Sequence, residues 1–129
     1  MRRLTDAAEE DLLVARMCVE HQPQALRGAA FHSQQCAEKY LKAWLVALGS
    51  DDPPYTHNQV ELGVLLRDRR SVPPPEVTLA FLSRFAVRPR YGVGGVTLAD
   101  GERALADAAA VAELARAGIA AVGHAGPSA

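Results

Sequence analysis

The run Phe31-His32-Ser33-Gln34-Gln35-Cys36-Ala37-Glu38-Lys39-Tyr40-Leu41-Lys42 holds the densest set of chemically capable side chains in this sequence. At about 100° per helical residue, His32, Gln35, Lys39 and Lys42 fall in one narrow sector beside an apolar face. A helix written this way offers an imidazole, an amide and two ammonium groups in a row, and these four are candidate ligand contacts. The same spacing also describes a solvated rim on which Glu38 pairs with Lys42 one turn along.

Two further places carry chemistry. His57 follows Pro53-Pro54 and precedes a short helical pattern, where it caps or orients that helix. A histidine pair can run acid–base chemistry near neutral pH, because imidazole titrates there. Arg84, Arg88 and Arg90, with Tyr91 and the glycines Gly92, Gly94 and Gly95, make a local basic segment. Arginine forks bind phosphate and tyrosine stacks on bases, so Arg88, Arg90 and Tyr91 are the candidate nucleotide contacts; an ordinary charged loop has the same composition. The glycines form no phosphate loop, since no strand precedes them and no Gly-Lys-Ser/Thr follows. Nothing supplies a carboxylate pair, a Ser-His-Asp set or a zinc ligand quartet, and no metal or cofactor is expected. Cys18 and Cys36 lie in helical patterns without metal-ligand spacing and read as reduced, buried thiols.

The elements that must position these residues are all helical. Asp6, Glu9, Glu10 and Asp11 are expected to load the first turn of a helix from Asp6 to Val19, complementing its dipole, with Ala8, Leu12, Ala15 and Val19 buried. After Pro23 a second helix runs from Gln24 to Leu48, with Ala30, Ala37, Leu41, Trp44 and Leu48 on one face, Tyr40 at its edge, and Gly49 as its stop. Asn58 and Glu61 read as a capping box opening a third helix to Arg67. Pro75 suits the first turn of a fourth, lined by Val77, Phe81, Leu82 and Phe85. Thr97 with Asp100 caps the last helix, whose stripe is Leu105, Ala108, Ala112, Ala115, Ile119 and Val122. No internal repeat and no convincing strand appears. The expectation is an all-α, five-helix, mostly antiparallel up-and-down bundle over residues 4–122, followed by a flexible C-terminal tail at 123–129.

At 129 residues the chain fits one domain able to bury a core without staples. Nearly half of it is apolar but only 5% is aromatic, and alanine, the best helix former, is heavily used. Its 14 basic and 15 acidic residues exert no global pull on nucleic acid, so any such contact must be local. No signal-peptide or membrane-span pattern is present, and a cytoplasmic location is expected.

The run from Phe31 to Gly49, then Thr56-His57 with a leucine-rich helix, then Arg90-Tyr91 before the last helix, resembles the HEPN family across about residues 4 to 122. The resemblance implies a helical bundle that usually dimerises. It also implies a nucleotidyltransferase-fold partner, often in a toxin–antitoxin pair, and His57 facing His32 across a cleft. Many members are metal-independent endoribonucleases whose active site straddles the dimer cleft. Those enzymes carry Arg, four to six residues, then His late in the chain. Here Arg90 is followed at those spacings by Gly95, Val96 or Thr97. Arg27 and His32 match the spacing as text, but five residues along a helix turn them about 140° apart. The reading is a homodimeric nucleotide- or RNA-contacting module with a groove lined by the second helix. The alternative is an endoribonuclease toxin using His32, His57 and Arg90 in a degenerate or rearranged site.

Overall fold

The computed structural model describes residues 2–21, 24–52, 55–86 and 96–124. Among them are five helices and no strand: α1 (Arg2–Glu20), α2 (Leu26–Ala47), α3 (Gln59–Asp68), α4 (Glu76–Ser83) and α5 (Leu98–His124). The expected all-α bundle is what forms. The last residues of the expected tail, 125–129, lie outside the described residues, while Gly123 and His124 close α5.

Helix α2 packs against all four other helices, with α1 and α5 along its flanks. Residue pairings give the directions. Cys18 lies over Gly28, Asp11 meets His32 and Lys39, and Glu9 meets Tyr40, so α1 and α2 are antiparallel. Gly63 abuts Leu79 and the Gln59 amide reaches Ser83, so α3 and α4 are antiparallel as well. One connection departs from strict alternation. The Gln59 side chain bonds the Gln34 carbonyl near the middle of α2, while Arg69 bonds the Leu48 carbonyl at its end. Helix α3 therefore runs in the same sense as α2, and the link must return along the bundle. Its ten residues, Gly49 to Asn58, reach about 33 Å when extended, against about 21 Å of helix to retrace.

Local chemistry explains the ends. Gly49 takes φ 110°, and its N–H and that of Ser50 bond the carbonyls of Val46 and Leu45, a Schellman stop for α2. Arg70 does the same for α3 at φ 64°, with its own N–H on Arg67 and that of Ser71 on Leu66. For a residue with a Cβ this left-handed conformation costs about 1–2 kcal/mol. Thr97 caps α5 through the Asp100 N–H. Asn58 caps α3 through the Val60 N–H, but the second half of the box is replaced: the Asn58 N–H goes to Thr56 Oγ1, so Glu61 is not used.

The apolar stripes hold with exceptions. Ala8, Leu12 and Ala15 are buried and Val19 half-buried; Ala30, Ala37, Leu41 and Trp44 are buried with Tyr40 beside them. On α5, Ala104 and Val111 join Ala108, Ala112 and Ala115 in the core, with Leu105 and Ile119 packed at its margin. Val77 is exposed, because α4 is a two-turn helix that turns Leu79, Phe81 and Leu82 inward instead. The expected acidic first turn of α1 is absent: the helix begins four residues earlier, at Arg2, leaving Asp6 to Asp11 in its second and third turns.

Trp44, the single tryptophan, is 4% exposed and lies flat on Gly118. A Cβ on Gly118 would sit 2.2 Å from the indole, so α2 and α5 approach this closely only because residue 118 lacks one. Trp44→Ala should cost about 3–5 kcal/mol through the cavity it leaves. Gly118→Ala should cost about 1–3 kcal/mol by displacing the ring. Urea unfolding followed by far-UV circular dichroism reads both, and a loss below about 1 kcal/mol in either would contradict this packing.

Candidate functional site

The polar sector of α2 resolves into two clusters, each built round a carboxylate that the bundle covers. Asp11 projects from the middle of α1 toward α2 and is buried. Its Oδ1 takes His32 Nδ1 at 2.8 Å and its Oδ2 takes Lys39 Nζ at 2.6 Å. His32 and Lys39 are seven residues apart, two turns of one helix, so one carboxylate from the neighbouring helix bridges both.

Glu38 is the second centre and only 5% exposed. It accepts from Gln34 Nε2 at 2.7 Å and Lys42 Nζ at 3.0 Å, one turn to either side, and from His57 Nδ1 at 3.0 and 3.1 Å. Gln35 Nε2 in turn donates to Gln34 Oε1 at 2.7 Å. Burial pushes the Glu38 carboxyl up. The hydrogen bonds from Gln34, Lys42 and His57, with the charge of Lys42, outweigh it and hold the group below the usual carboxylate range. The anticipated Glu38–Lys42 pair is therefore real, but it is an interior pair rather than a solvated rim.

His57 reaches Glu38 because the returning link brings it back to the level of mid-α2. It does not cap α3, a task that falls to Asn58. Nor do His32 and His57 bond each other; each turns Nδ1 to a different carboxylate. The His57 side chain is 67% exposed. With Nδ1–H donating to Glu38, the neutral ring presents its Nε2 lone pair away from that carboxylate.

A third cluster ties α1, α2 and α5. The Tyr40 hydroxyl donates to Glu9, and Arg116 Nε lies 3.0 Å from both Glu9 Oε2 and the Tyr40 hydroxyl. Burial and the Glu9 contact push the Tyr40 phenol up to about 12. Tyr40 and Trp44 are thus core residues and not a platform for a base. Burial, with the charges of Glu9 and Asp11, likewise pushes the Cys36 thiol up to about 12. Both cysteines are free; Cys18 is half-buried rather than buried.

Arg88, Arg90 and Tyr91 lie outside the described residues. Arg84 spreads its guanidinium over Phe81 and Phe85, 5.4 and 5.6 Å from their ring centres. Among the described residues no group of three His, Cys, Asp or Glu side chains could hold a metal ion. No helix there is long and apolar enough to cross a membrane.

Sequence reasoning missed Asp11 and Glu38 as organising groups. The signal for Glu38 was present in its flanking Gln34 and Lys42, one turn away on either side. Asp11 had no local signal, because its partners lie on another helix.

A model of the HEPN domain matches residues 1–117. The chain belongs to the HEPN family. No curated protein and no solved structure matches it. The HEPN assignment carries a nucleotide- or RNA-related role in general terms. In this HEPN chain the run Phe31–Gly49 supplies the central helix, and Thr56-His57 ends the link that docks on it.

The Glu38 network should govern acid stability. Because its folded pKa lies below the ordinary 4.5, its contribution is complete above that pH and is lost as pH falls through the lowered value. Glu38→Gln should cost about 3 kcal/mol near neutral pH by leaving Lys42 unpaired. It should also flatten the loss of stability below pH 4.5 relative to the unsubstituted protein. Urea titrations across that range provide the check; parallel pH profiles would remove Glu38 from this role.

Proposed function

We propose that this HEPN protein is a nucleotide- or RNA-contacting binding module that does not itself cleave RNA. In this reading it acts as a homodimer beside a nucleotidyltransferase-fold protein, in a toxin–antitoxin-like pair. The observation that carries the non-catalytic reading is the separate engagement of the two histidines. His32 is bridged to Lys39 by Asp11, and His57 is held by Glu38, so among the described residues the two imidazoles are turned to different carboxylates rather than to one another. The chain also lacks a histidine separated from Arg90 by four to six residues. The lysines are already matched by carboxylates, which suits His32, Gln35, Lys39 and Lys42 to a positioned but weak phosphate contact, with Arg88, Arg90 and Tyr91 supplying the rest.

One observation favours the second reading, a metal-independent endoribonuclease. The His57–Glu38 pair is an exposed imidazole whose tautomer is set by a buried carboxylate, the arrangement a general base needs.

Incubation of the purified protein with labelled RNA in chelator separates the two. Under the binding reading there is little or no cleavage. RNA retention on a filter falls with added salt, and Arg90→Ala weakens it. Robust cleavage reduced by about 10²–10⁴-fold in His57→Ala, His32→Ala or Arg90→Ala would replace the binding module with the ribonuclease.

A further inference from the structure

Arginine can lay its flat face on an aromatic ring and still offer its edge to a phosphate, and α4 and α5 bring two arginines to one ring. Phe81 is buried and meets Phe85 edge to face, with ring centres 5.3 Å apart. Arg103, in the second turn of α5, lays its guanidinium carbon 3.8 Å from the centre of the Phe81 ring. Arg84, which closes α4, places its own 5.4 Å from the same centre. The two guanidiniums can therefore be no further apart than those two lengths laid end to end.

Neither is closely matched by an acid. Among the described residues Arg84 has no carboxylate partner. Arg103 Nε stands 3.5 Å from Asp107 Oδ2, long for a hydrogen bond, and that oxygen has no other partner there. Burial holds the Asp107 carboxyl above its ordinary range in spite of the arginine. Lys39 and Lys42, by contrast, sit 2.6 and 3.0 Å from their carboxylates. Stacking occupies the face of a guanidinium and leaves the N–H donors at its edge, so both arginines keep donors to offer. The end of α4 is also pinned to the start of α3, where Ser83 Oγ takes the Gln59 N–H at 2.9 Å. Arg84 and His57 thus lie within two residues of one hydrogen bond, on either side of it. Along the chain, Arg84 and Arg103 bracket the phosphate contacts expected at Arg88 and Arg90.

We infer that Arg84 and Arg103, mounted on Phe81, clamp the phosphodiester backbone of an RNA strand. The inference rests on the binding reading above and deepens it, adding two contacts that hold the backbone and not the bases. A net charge of −1 exerts no general attraction on RNA, so local donors of this kind must supply it. Two separate forks suit successive phosphates of a strand. Holding each long side chain on a ring beforehand lowers the entropy lost when it grips.

Filter retention of a labelled oligouridylate over a salt series tests the clamp. On a single strand each neutralised phosphate contributes about 0.7 to the slope of log affinity against log salt. Arg84→Met and Arg103→Met keep an unbranched side chain for the ring and remove the charge. Each should lower the slope by about 0.7, and the two together by about 1.4. Arg84→Lys and Arg103→Lys should keep the slope, because the charge remains. Arg67→Met, at the opposite end of α3 from Gln59, should leave it unchanged. Circular dichroism melts establish that each variant is folded before its slope is read. Unchanged slopes in both Met variants, or an equal drop in Arg67→Met, would overturn the clamp and leave RNA binding to other residues. No retention by the unsubstituted protein would overturn the clamp and the binding reading together. Excess uridine monophosphate should leave the RNA bound; displacement would overturn the strand in favour of a free nucleotide.

Discussion

An ionised carboxylate inside a helical bundle is tolerated only when donors surround it, and the Glu38 side chain sets that condition at the centre of this protein. Two of its donors, Gln34 and Lys42, come from its own helix and need no tertiary structure. The third, His57, belongs to a link that must run back along α2 to deliver it. That requirement agrees with the unusual course of the chain, in which α3 sets off in the same sense as α2 beside the Gln34 carbonyl. The polar centre and the topology are thus two views of one arrangement.

The same condition operates at Asp11, with a different geometry. Its carboxylate comes from α1 and draws in His32 and Lys39 from two successive turns of α2. Glu9, Tyr40 and Arg116 then connect α1 and α2 to α5. Polar contacts therefore fix the register of the three longest helices, which their alanine-rich interfaces specify only loosely. Between α2 and α5, the indole of Trp44 on Gly118 sets how closely the two helices approach.

These constraints bear on chemistry. The two cations of the α2 sector, Lys39 and Lys42, are already engaged by Asp11 and Glu38, and their reach is limited by those engagements. The most exposed group, His57, is also the one whose orientation is held by the best-buried carboxylate.

Helical periodicity is a local property, so the five helices, the Gly49 stop, the Thr97 cap and the sector holding His32, Gln35, Lys39 and Lys42 were all legible in the residues themselves. Local pattern misled where a longer helix or a competing bond intervened, as with the acidic run of α1 and with Glu61. Whether a charged residue is interior depends on what covers it, and this no single helix encodes. Glu38 reads as a surface partner of Lys42 until α3 and the link close over it, and Asp11 reads as a dipole charge until α2 is laid beside it. The sequence determined which side chains share a helix face; only the tertiary structure decided which carboxylate each cation and each imidazole would meet, because those partners are brought together by burial across helices rather than by spacing along one.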